Sequence, residues 1–316
     1  MQVLKDFNKH GELIDWQGKK EANLLLSESY GRLGDLFKAK YIRTEQCGSF
    51  LQFKEYVDYT LKLHKANFCK IRLCPMCSWR RSLKVFGQVS QVLDYLEENH
   101  NFRYLFLTLT VKNCYADELD QTIKTMMSAF NKMTRRKAFK SAIKGYFRAL
   151  EITFNKVDNS YHPHFHIILA VDPNYFNDRK VYLSQKDWSE LWKSCLGIDY
   201  TPIVNIKAVR KNNKKEIAEV AKYTVKSDDF LIKDTNGNII EHITDRVVET
   251  LDYALYGKRL TSFGFIFKDI HKKLNLDDLD QDPDLINTDI EKEIEGMNYV
   301  LVNYVYIKSR RNYFKL

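Results

Sequence analysis

The feature that most constrains the fold is a histidine-rich segment that runs directly into an apolar one. Residues 161–171 have the sequence YHPHFHIILAV and contain three of the eight histidines in the chain. Residues two apart on a β-strand project from the same face, so His164 and His166 would point the same way. The apolar residues that follow indicate a strand buried in a core. The sequence therefore predicts two imidazoles able to hold a metal ion on the sheet of a folded domain.

Strand and helix patterns alternate around this segment in a recognisable order. The predicted elements are a strand at 103–111, a helix at 116–142, strands at 146–155 and 161–171, a helix at 185–196, a strand at 202–209 and a helix at 213–226. The order β-α-β-β-α-β is the split βαβ, or ferredoxin-like, pattern, whose first and third strands lie in the middle of an antiparallel sheet. We therefore predict an α+β fold with His164 and His166 on a central strand.

A carboxylate is predicted to join the two histidines. Asp158-Asn159 is a plausible two-residue hairpin turn between the second and third strands. With that turn, Glu151 lies opposite His166 and Thr153 opposite His164. Two histidines and one carboxylate, with positions left for water and a phosphate oxygen, suit Mn²⁺ or Mg²⁺ acting as a Lewis acid. A slip of one residue in the register would send Glu151 to the other face.

A second set of candidate ligands lies near the N-terminus. Cys69, Cys74 and Cys77 have the spacing of a zinc knuckle, and such spacing in a cytosolic protein favours Zn²⁺ over disulfides. The fourth ligand is either His64, which is close in sequence, or Cys47, which would close a hairpin. Buried free thiols are the alternative to a zinc site.

Length and charge indicate the class of protein. The chain has 316 residues and a formal charge of +9, which favours a polyanionic partner. It has no apolar run of about 18 residues and no recognisable signal peptide, so we expect a cytoplasmic protein without a membrane segment. We predict three regions: an N-terminal region with a zinc module at 1–100, a catalytic domain at 101–232 and a C-terminal extension at 233–316.

Two basic clusters are candidate DNA surfaces. Arg80, Arg81 and Lys84 follow the zinc knuckle, beside Trp79, for which packing is the favoured role. Arg135 and Arg136 lie towards the end of the long predicted helix and could equally form its solvated face.

The helix predicted at 213–226 carries three chemically useful groups. Glu219 and Tyr223 are four residues apart and share one helix face, with Lys226 one turn further on. A phenol needs nearby positive charge and a polarised phosphate to act as a nucleophile. On these residues alone, a half-buried tyrosine beside a surface ion pair is the simpler interpretation.

Taken together, these motifs resemble those of the HUH endonucleases. The matching segments are FLTLT at 106–110, the His164-Phe165-His166 pair and EVAKYTVK at 219–226. More narrowly, they are similar to the single-tyrosine rolling-circle replication initiators of small Gram-positive plasmids. The resemblance also covers the cysteine segment 68–81 and residues 257–267.

The resemblance implies an activity and a set of roles. Glu151, His164 and His166 would hold the catalytic metal. Tyr223 would attack the scissile phosphate, forming a 5′-phosphotyrosyl enzyme and a free 3′-hydroxyl primer, and Glu219 would activate water for termination. The implied partners are plasmid origin DNA, with a single-stranded or hairpin nick site and a duplex binding site, and a host helicase and DNA polymerase. A homodimer is compatible with this role.

Other functions remain open from the sequence. A relaxase or transposase of the same superfamily would share the chemistry, although relaxases usually carry their tyrosine ahead of the histidines. A zinc-containing DNA-binding repressor with structural histidines would lack it.

Overall fold

The protein has a mixed α+β fold with two antiparallel sheets. The computed structural model describes residues 2–8, 10–209, 225–281, 283–288 and 297–316. Within those residues, none of the helices combines the length and apolarity needed to cross a membrane. The α+β prediction is confirmed at this level.

The chain forms two compact units, and each unit is built from separate chain segments. Unit 1 consists of Met1–Lys84, Lys226–Asp252 and Asp282–Leu316, and unit 2 of Val85–Val225 and Tyr253–Gln281. This division is not the one into three consecutive regions, because strands from both ends of the chain pair in one sheet of unit 1. The three-region domain assignment stays a prediction.

Unit 1 contains the four-stranded sheet, whose order is β2-β1-β8-β9. Its strands are β1 (Phe50–Tyr56), β2 (Leu61–Ala66), β8 (Tyr299–Ile307) and β9 (Asn312–Lys315). Its helices are α1 (Trp16–Arg32), α2 (Lys38–Gln46) and parts of two helices that continue into unit 2, α3 (Pro75–Asn99) and α7 (Glu241–Leu255).

Unit 2 contains the five-stranded sheet, whose order is β6-β3-β5-β4-β7. Its strands are β3 (Arg103–Thr110), β4 (Ile143–Asn155), β5 (Ser160–Val171), β6 (Val204–Val209) and β7 (Thr261–Phe265). Its own helices are α4 (Leu119–Arg135), α5 (Lys137–Ala142), α6 (Gln185–Leu196) and α8 (Ile266–Lys273). As predicted, the two strands that carry Thr108 and the histidines, β3 and β5, are neighbours inside the sheet.

Aromatic packing covers one face of the five-stranded sheet. Phe165 of β5 points to this face, where its ring lies 5.7 Å from Phe130 of α4 and 6.3 Å from Trp192 of α6. The Trp192 indole also donates to the Thr110 carbonyl at 2.8 Å. Burial of each such side chain contributes roughly 1.5–3 kcal/mol, so α4 and α6 hold this side of the sheet rigidly.

The opposite face of the same sheet is apolar over only part of its area. Phe106, Phe147 and Ile168 belong to a buried cluster that also includes Val89 of α3 and Phe267 of α8. The residues that follow this cluster on the same face are polar, and they are the predicted metal ligands. The apolar part therefore anchors the strands whose ends carry the site.

Two helix predictions can be compared directly with the structure. The helix expected at 116–142 is two helices, because Arg136 has extended backbone angles (φ −66°, ψ 142°) between α4 and α5. The helix at 185–196 is confirmed with its predicted bounds. Ser184 and Asp187 form its capping box, and Gly197 ends it with a left-handed φ of 73°.

Candidate metal centres

Three potential ligands converge on one face of the central hairpin. The Glu151 Oε2 atom of β4 lies 2.9 Å from His166 Nε2 and 3.5 Å from His164 Nε2, both on β5. The three ligand atoms lie within 4.8 Å of one another. Glu151 and His164 are buried and His166 is half-buried. The structure therefore brings together the three residues that the sequence predicted.

Each imidazole is held at its other ring nitrogen. His164 Nδ1 lies 3.1 Å from the His162 carbonyl oxygen, which can only accept, so Nδ1 carries the proton. His166 Nδ1 lies 3.2 Å from the Thr108 hydroxyl. Contacts of this kind fix the tautomer and ring orientation of metal-binding histidines. They leave both Nε2 atoms directed towards Glu151.

The electrostatics of the cluster favour an ionised carboxylate. Burial alone raises the pKa of Glu151, but hydrogen bonds and positive charge from His164 and His166 outweigh it and hold this pKa well below its usual range. The site thus presents a negatively charged oxygen beside two nitrogen donors.

The predicted hairpin register was wrong by two residues. Glu151 pairs with His164, and Thr153 pairs with His162. The reason is the turn, which uses residues 156–159 between Asn155 and Ser160 in place of a two-residue loop. Because side chains alternate with a period of two, this slip keeps Glu151 on the face that carries the histidines.

The donor set fits a divalent cation that prefers oxygen and nitrogen ligands. Adjacent ligands about 2.1 Å from an octahedral ion are about 3 Å apart, and the two Nε2–Oε2 separations of 2.9 and 3.5 Å are close to this. Two imidazoles and a carboxylate supply three ligands, so further positions would remain for water or substrate.

A lysine on the same face was missed by the sequence analysis as a site residue. Lys207 pairs with Phe106, and its ammonium lies 5.0 Å from the centroid of that ring, which itself lies 5.3 Å from the His166 ring. Lys207 and Asn205 lie on the sheet face that carries Thr108. The alternation of side chains along β6 would have predicted this if the order of strands in the sheet had been known.

The predicted nucleophile and water-activating residue lie outside the described residues. Tyr223 and Glu219 both belong to the segment 210–224. Lys226 is described, and its assignment to the end of the helix is wrong, since its backbone is extended (φ −77°, ψ 152°) and it precedes a short 3₁₀ helix. The prediction that Lys226 shares a helix face with Tyr223 is therefore not supported.

The four cysteines Cys47, Cys69, Cys74 and Cys77 form a second cluster, which lies in unit 1. All four are buried, and their sulfur atoms lie within 4.8 Å of one another. His64 is exposed on β2 and is not part of the cluster. Of the two candidates for the fourth position, the structure places Cys47 there.

The sulfur geometry fits a tetrahedral ion. Sulfur ligands about 2.3 Å from zinc are about 3.8 Å apart. The measured separations are 3.5 Å for Cys47–Cys77, 3.6 Å for Cys47–Cys74 and 3.7 Å for Cys69–Cys77. Burial raises the pKa of Cys77, but hydrogen bonds from the other three cysteines outweigh it and lower this pKa well below its ordinary value.

A buried lysine lies beside the cysteine cluster. The Lys20 ammonium donates to the Cys47 carbonyl at 2.7 Å and to the Glu45 carbonyl at 2.6 Å. Burial lowers the pKa of Lys20, and negative charge on the cysteines opposes this. The cluster is therefore placed next to a cation that could offset thiolate charge.

The predicted DNA-contacting cations differ in accessibility. Arg80 is buried and donates to the Leu285 carbonyl at 2.8 Å, and Lys84 is buried and donates to the Asn287 carbonyl at 3.0 Å. The expectation that these two present their charge to phosphates is corrected, because both charges are committed to backbone carbonyls. Arg81 is half-buried, while Arg135 and Arg136 are exposed.

Trp79 has the packing role that the sequence favoured for it. Its ring meets Trp16 edge to face, with the centroids 4.8 Å apart.

Comparison with known proteins identifies relatives over the whole chain. A family model described as "Replication protein" matches residues 60–314. A protein named "Protein rep" from Lentilactobacillus hilgardii is 38% identical over 99% of this chain and 98% of its own length. Proteins of the same name from Bacillus amyloliquefaciens and Streptococcus pneumoniae are 38% and 36% identical over 87% and 99% of this chain, and 86% and 95% of their own lengths. No solved structure matches significantly.

Proposed function

Because the chain belongs to the replication protein family, we propose that it initiates rolling-circle replication of a plasmid by nicking one strand at the origin. The observation that carries the proposal is the convergence of Glu151, His164 and His166 on one sheet face. A metal ion held by these three ligands would act as a Lewis acid on a phosphate, a role that DNA binding by a repressor does not require.

The proposed fold of unit 2 is the ferredoxin-like arrangement of HUH nucleases. Its supporting observation is the sheet order β6-β3-β5-β4, with the first and third strands of the βαββαβ order in the middle. β7 then extends the sheet beside β4. The ferredoxin-like pattern has the same two strands in its middle.

The proposed cleavage is a transesterification. When bound, Mn²⁺ or Mg²⁺ would polarise the scissile phosphate. Glu151, His164 and His166 would hold it, while Thr108 keeps the His166 ring in place. The Tyr223 oxygen forms a bond to phosphorus, the bond from phosphorus to the 3′-oxygen breaks, and the phenolic proton passes to solvent while the 3′-oxygen takes one up. The products are a 5′-phosphotyrosyl link and a 3′-hydroxyl primer.

For termination, we assign Glu219 as the general base. It accepts a proton from water, the water oxygen forms a bond to phosphorus, and the bond from phosphorus to the Tyr223 oxygen breaks. The phenolate takes up a proton, and the DNA leaves with a 5′-phosphate. Lys226 would contribute positive charge from an extended position, not from the predicted helix.

The cysteine cluster is proposed to hold a structural zinc ion. Four sulfur ligands fill a tetrahedral site and leave no position for substrate, which is typical of structural sites. Origin DNA is the proposed partner, and Arg81, Arg135 and Arg136 remain candidate contacts to it. A host helicase, a host polymerase and a homodimer also stay predictions.

The decisive experiment incubates the protein with Mn²⁺ and a supercoiled plasmid bearing its origin. We expect an open-circular product with protein attached to a 5′ end. Tyr223→Phe should abolish the covalent adduct, and persistence of the adduct would remove Tyr223 as the nucleophile. Glu219→Ala should nick normally but fail to terminate, and equal loss of both steps would assign Glu219 to holding Tyr223. Binding of the origin without any nicking would favour the repressor.

A further inference from the structure

One face of the four-stranded sheet in unit 1 carries three lysines on its paired strands β1 and β2. Residues that alternate with the buried Leu51, Phe53 and Val302 point to this side. We call it the basic sheet face and define it by the strand-paired residues Gln52, Lys54, Lys62, Lys65, Leu301 and Asn303.

The charge on the basic sheet face is of one sign. Lys54 and Lys62 are directly paired, and Lys65 pairs with Gln52 further along the same two strands. None of the outward positions of these four strands, all of which the structure describes, is an Asp or a Glu. Glu55 belongs to the other face, where it accepts from Lys315 at 3.0 Å.

The two ends of the face carry charges of opposite sign. Asp58, in the turn between β1 and β2, is exposed and accepts from the Thr60 backbone N–H at 3.0 Å. At the opposite edge, the Arg310 guanidinium lies 5.5 Å from the centroid of the Phe314 ring and adds a further cation. The face is therefore complementary to a row of phosphates.

The neutral groups of the face are already engaged with one another. Gln52 Nε2 donates to Asn303 Oδ1 at 2.9 Å. The Lys54 ammonium lies 4.7 Å from the centroid of the Tyr299 ring and covers one side of it. Ammonium groups on paired strands suit the regularly spaced charges of a phosphate backbone.

We propose that the basic sheet face binds the phosphate backbone of duplex DNA. It would give the chain a duplex contact within unit 1, besides the metal centre of unit 2. The inference rests on the proposed function, because a replication initiator must hold duplex DNA near the strand that it cuts.

The test measures binding of the full-length protein to a fluorescent 30-base-pair duplex of arbitrary sequence and to a 30-nucleotide single strand, over a range of salt concentrations. The test variant is Lys62→Gln/Lys65→Gln, and Lys54→Gln is a second, independent variant. The matched control is Lys38→Gln/Lys233→Gln, which removes the same charge from exposed positions of unit 1 that are not on the basic sheet face. Thermal unfolding verifies that each variant is folded.

We expect Lys62→Gln/Lys65→Gln to weaken duplex binding about tenfold and to lower the slope of log affinity against log salt by about 2, close to 0.9 per phosphate contact. The control should bind like the parent chain. Unchanged duplex binding by both test variants would overturn the proposal, as would an equal loss in the control or a loss confined to the single strand.

Nicking of a single-stranded oligonucleotide separates this proposal from the proposed function. Test variants that lose duplex binding but still nick the oligonucleotide satisfy both proposals. A parent chain that never nicks, but whose duplex binding depends on Lys62 and Lys65, would defeat the proposed function and leave the basic sheet face as a DNA-binding surface.

Discussion

The two candidate metal centres are assembled from opposite kinds of structure. Glu151, His164 and His166 come from two adjacent strands of one hairpin, so the backbone ladder alone sets their spacing. The cysteines come from the end of α2, from the chain after β2 and from the start of α3. The spacing of the first site is set by the pairing of two adjacent strands. The second site joins cysteines that are up to 30 residues apart in the chain.

The difference in ligands matches this difference in construction. Three oxygen and nitrogen donors leave coordination positions free, which suits a reaction at a phosphate. Four buried thiols leave none, so their ion would serve the fold. Loss of a ligand should therefore remove activity in unit 2 but stability in unit 1.

The largest expected effect is on catalysis. His166→Ala should reduce Mn²⁺-dependent nicking by roughly 100- to 1,000-fold, because metal polarisation of the phosphate is worth several kcal/mol. His162→Ala is the control, since His162 is bound to Asn113 at 2.9 Å and lies outside the three-ligand cluster. Rates are measured on an origin oligonucleotide. Equal losses in both variants would contradict the assignment of the ligands.

The next effect is on stability. Cys47→Ser should lower zinc content measured by mass spectrometry and destabilise the protein by about 3 kcal/mol or more, because zinc-binding energy becomes folding energy. His64→Ala should change neither quantity, since His64 is exposed and apart from the cluster. Zinc loss in His64→Ala with zinc retained in Cys47→Ser would reverse the choice of ligand.

A smaller effect should come from the residue behind His166. Thr108→Val removes the hydroxyl that lies 3.2 Å from His166 Nδ1 and leaves the ring free to turn. We expect Mn²⁺ affinity to fall about 10-fold, at the low end of the range for such supporting contacts. Titration calorimetry measures it. Thr110→Val is the control, because the Thr110 hydroxyl donates to the Ile203 carbonyl and not to a ligand.

The smallest expected effect concerns pH and lies away from both centres. Burial lowers the pKa of His271, whose ring packs 4.4 Å from Phe263 and whose Nε2 lies 3.1 Å from Gln88 Oε1. As pH falls, the unfolded chain therefore binds a proton on this histidine at a higher pH than the folded chain does. The free energy of unfolding should fall as pH drops below about 6.5. His271→Gln should lose less stability between pH 7.5 and pH 5.5 than the parent chain. An unchanged pH dependence in urea unfolding would count against this.

The sequence predicted the candidate metal ligands of unit 2 better than their arrangement. The period of two along β5 placed His164 and His166 on one face, and this rule does not depend on the rest of the fold. Which residue of β4 pairs with each histidine depended on the length of the turn. Residues 156–159 form a four-residue loop, which is longer than the two-residue turn predicted at Asp158-Asn159. Glu151 was found in spite of this, because an even slip preserves the face.

What the sequence by itself determined was the alternation that puts these donors on one side of a strand, and the residue types that make them ligands. Only the tertiary structure decided between Cys47 and His64 as the fourth cysteine-cluster ligand. It also directed the charges of Arg80 and Lys84 to backbone carbonyls, and it placed Lys207 on the sheet face that carries His166. The physical reason is that the direction of a side chain within a strand is a local property. Contacts between segments distant in the chain are set by packing, which no local pattern encodes.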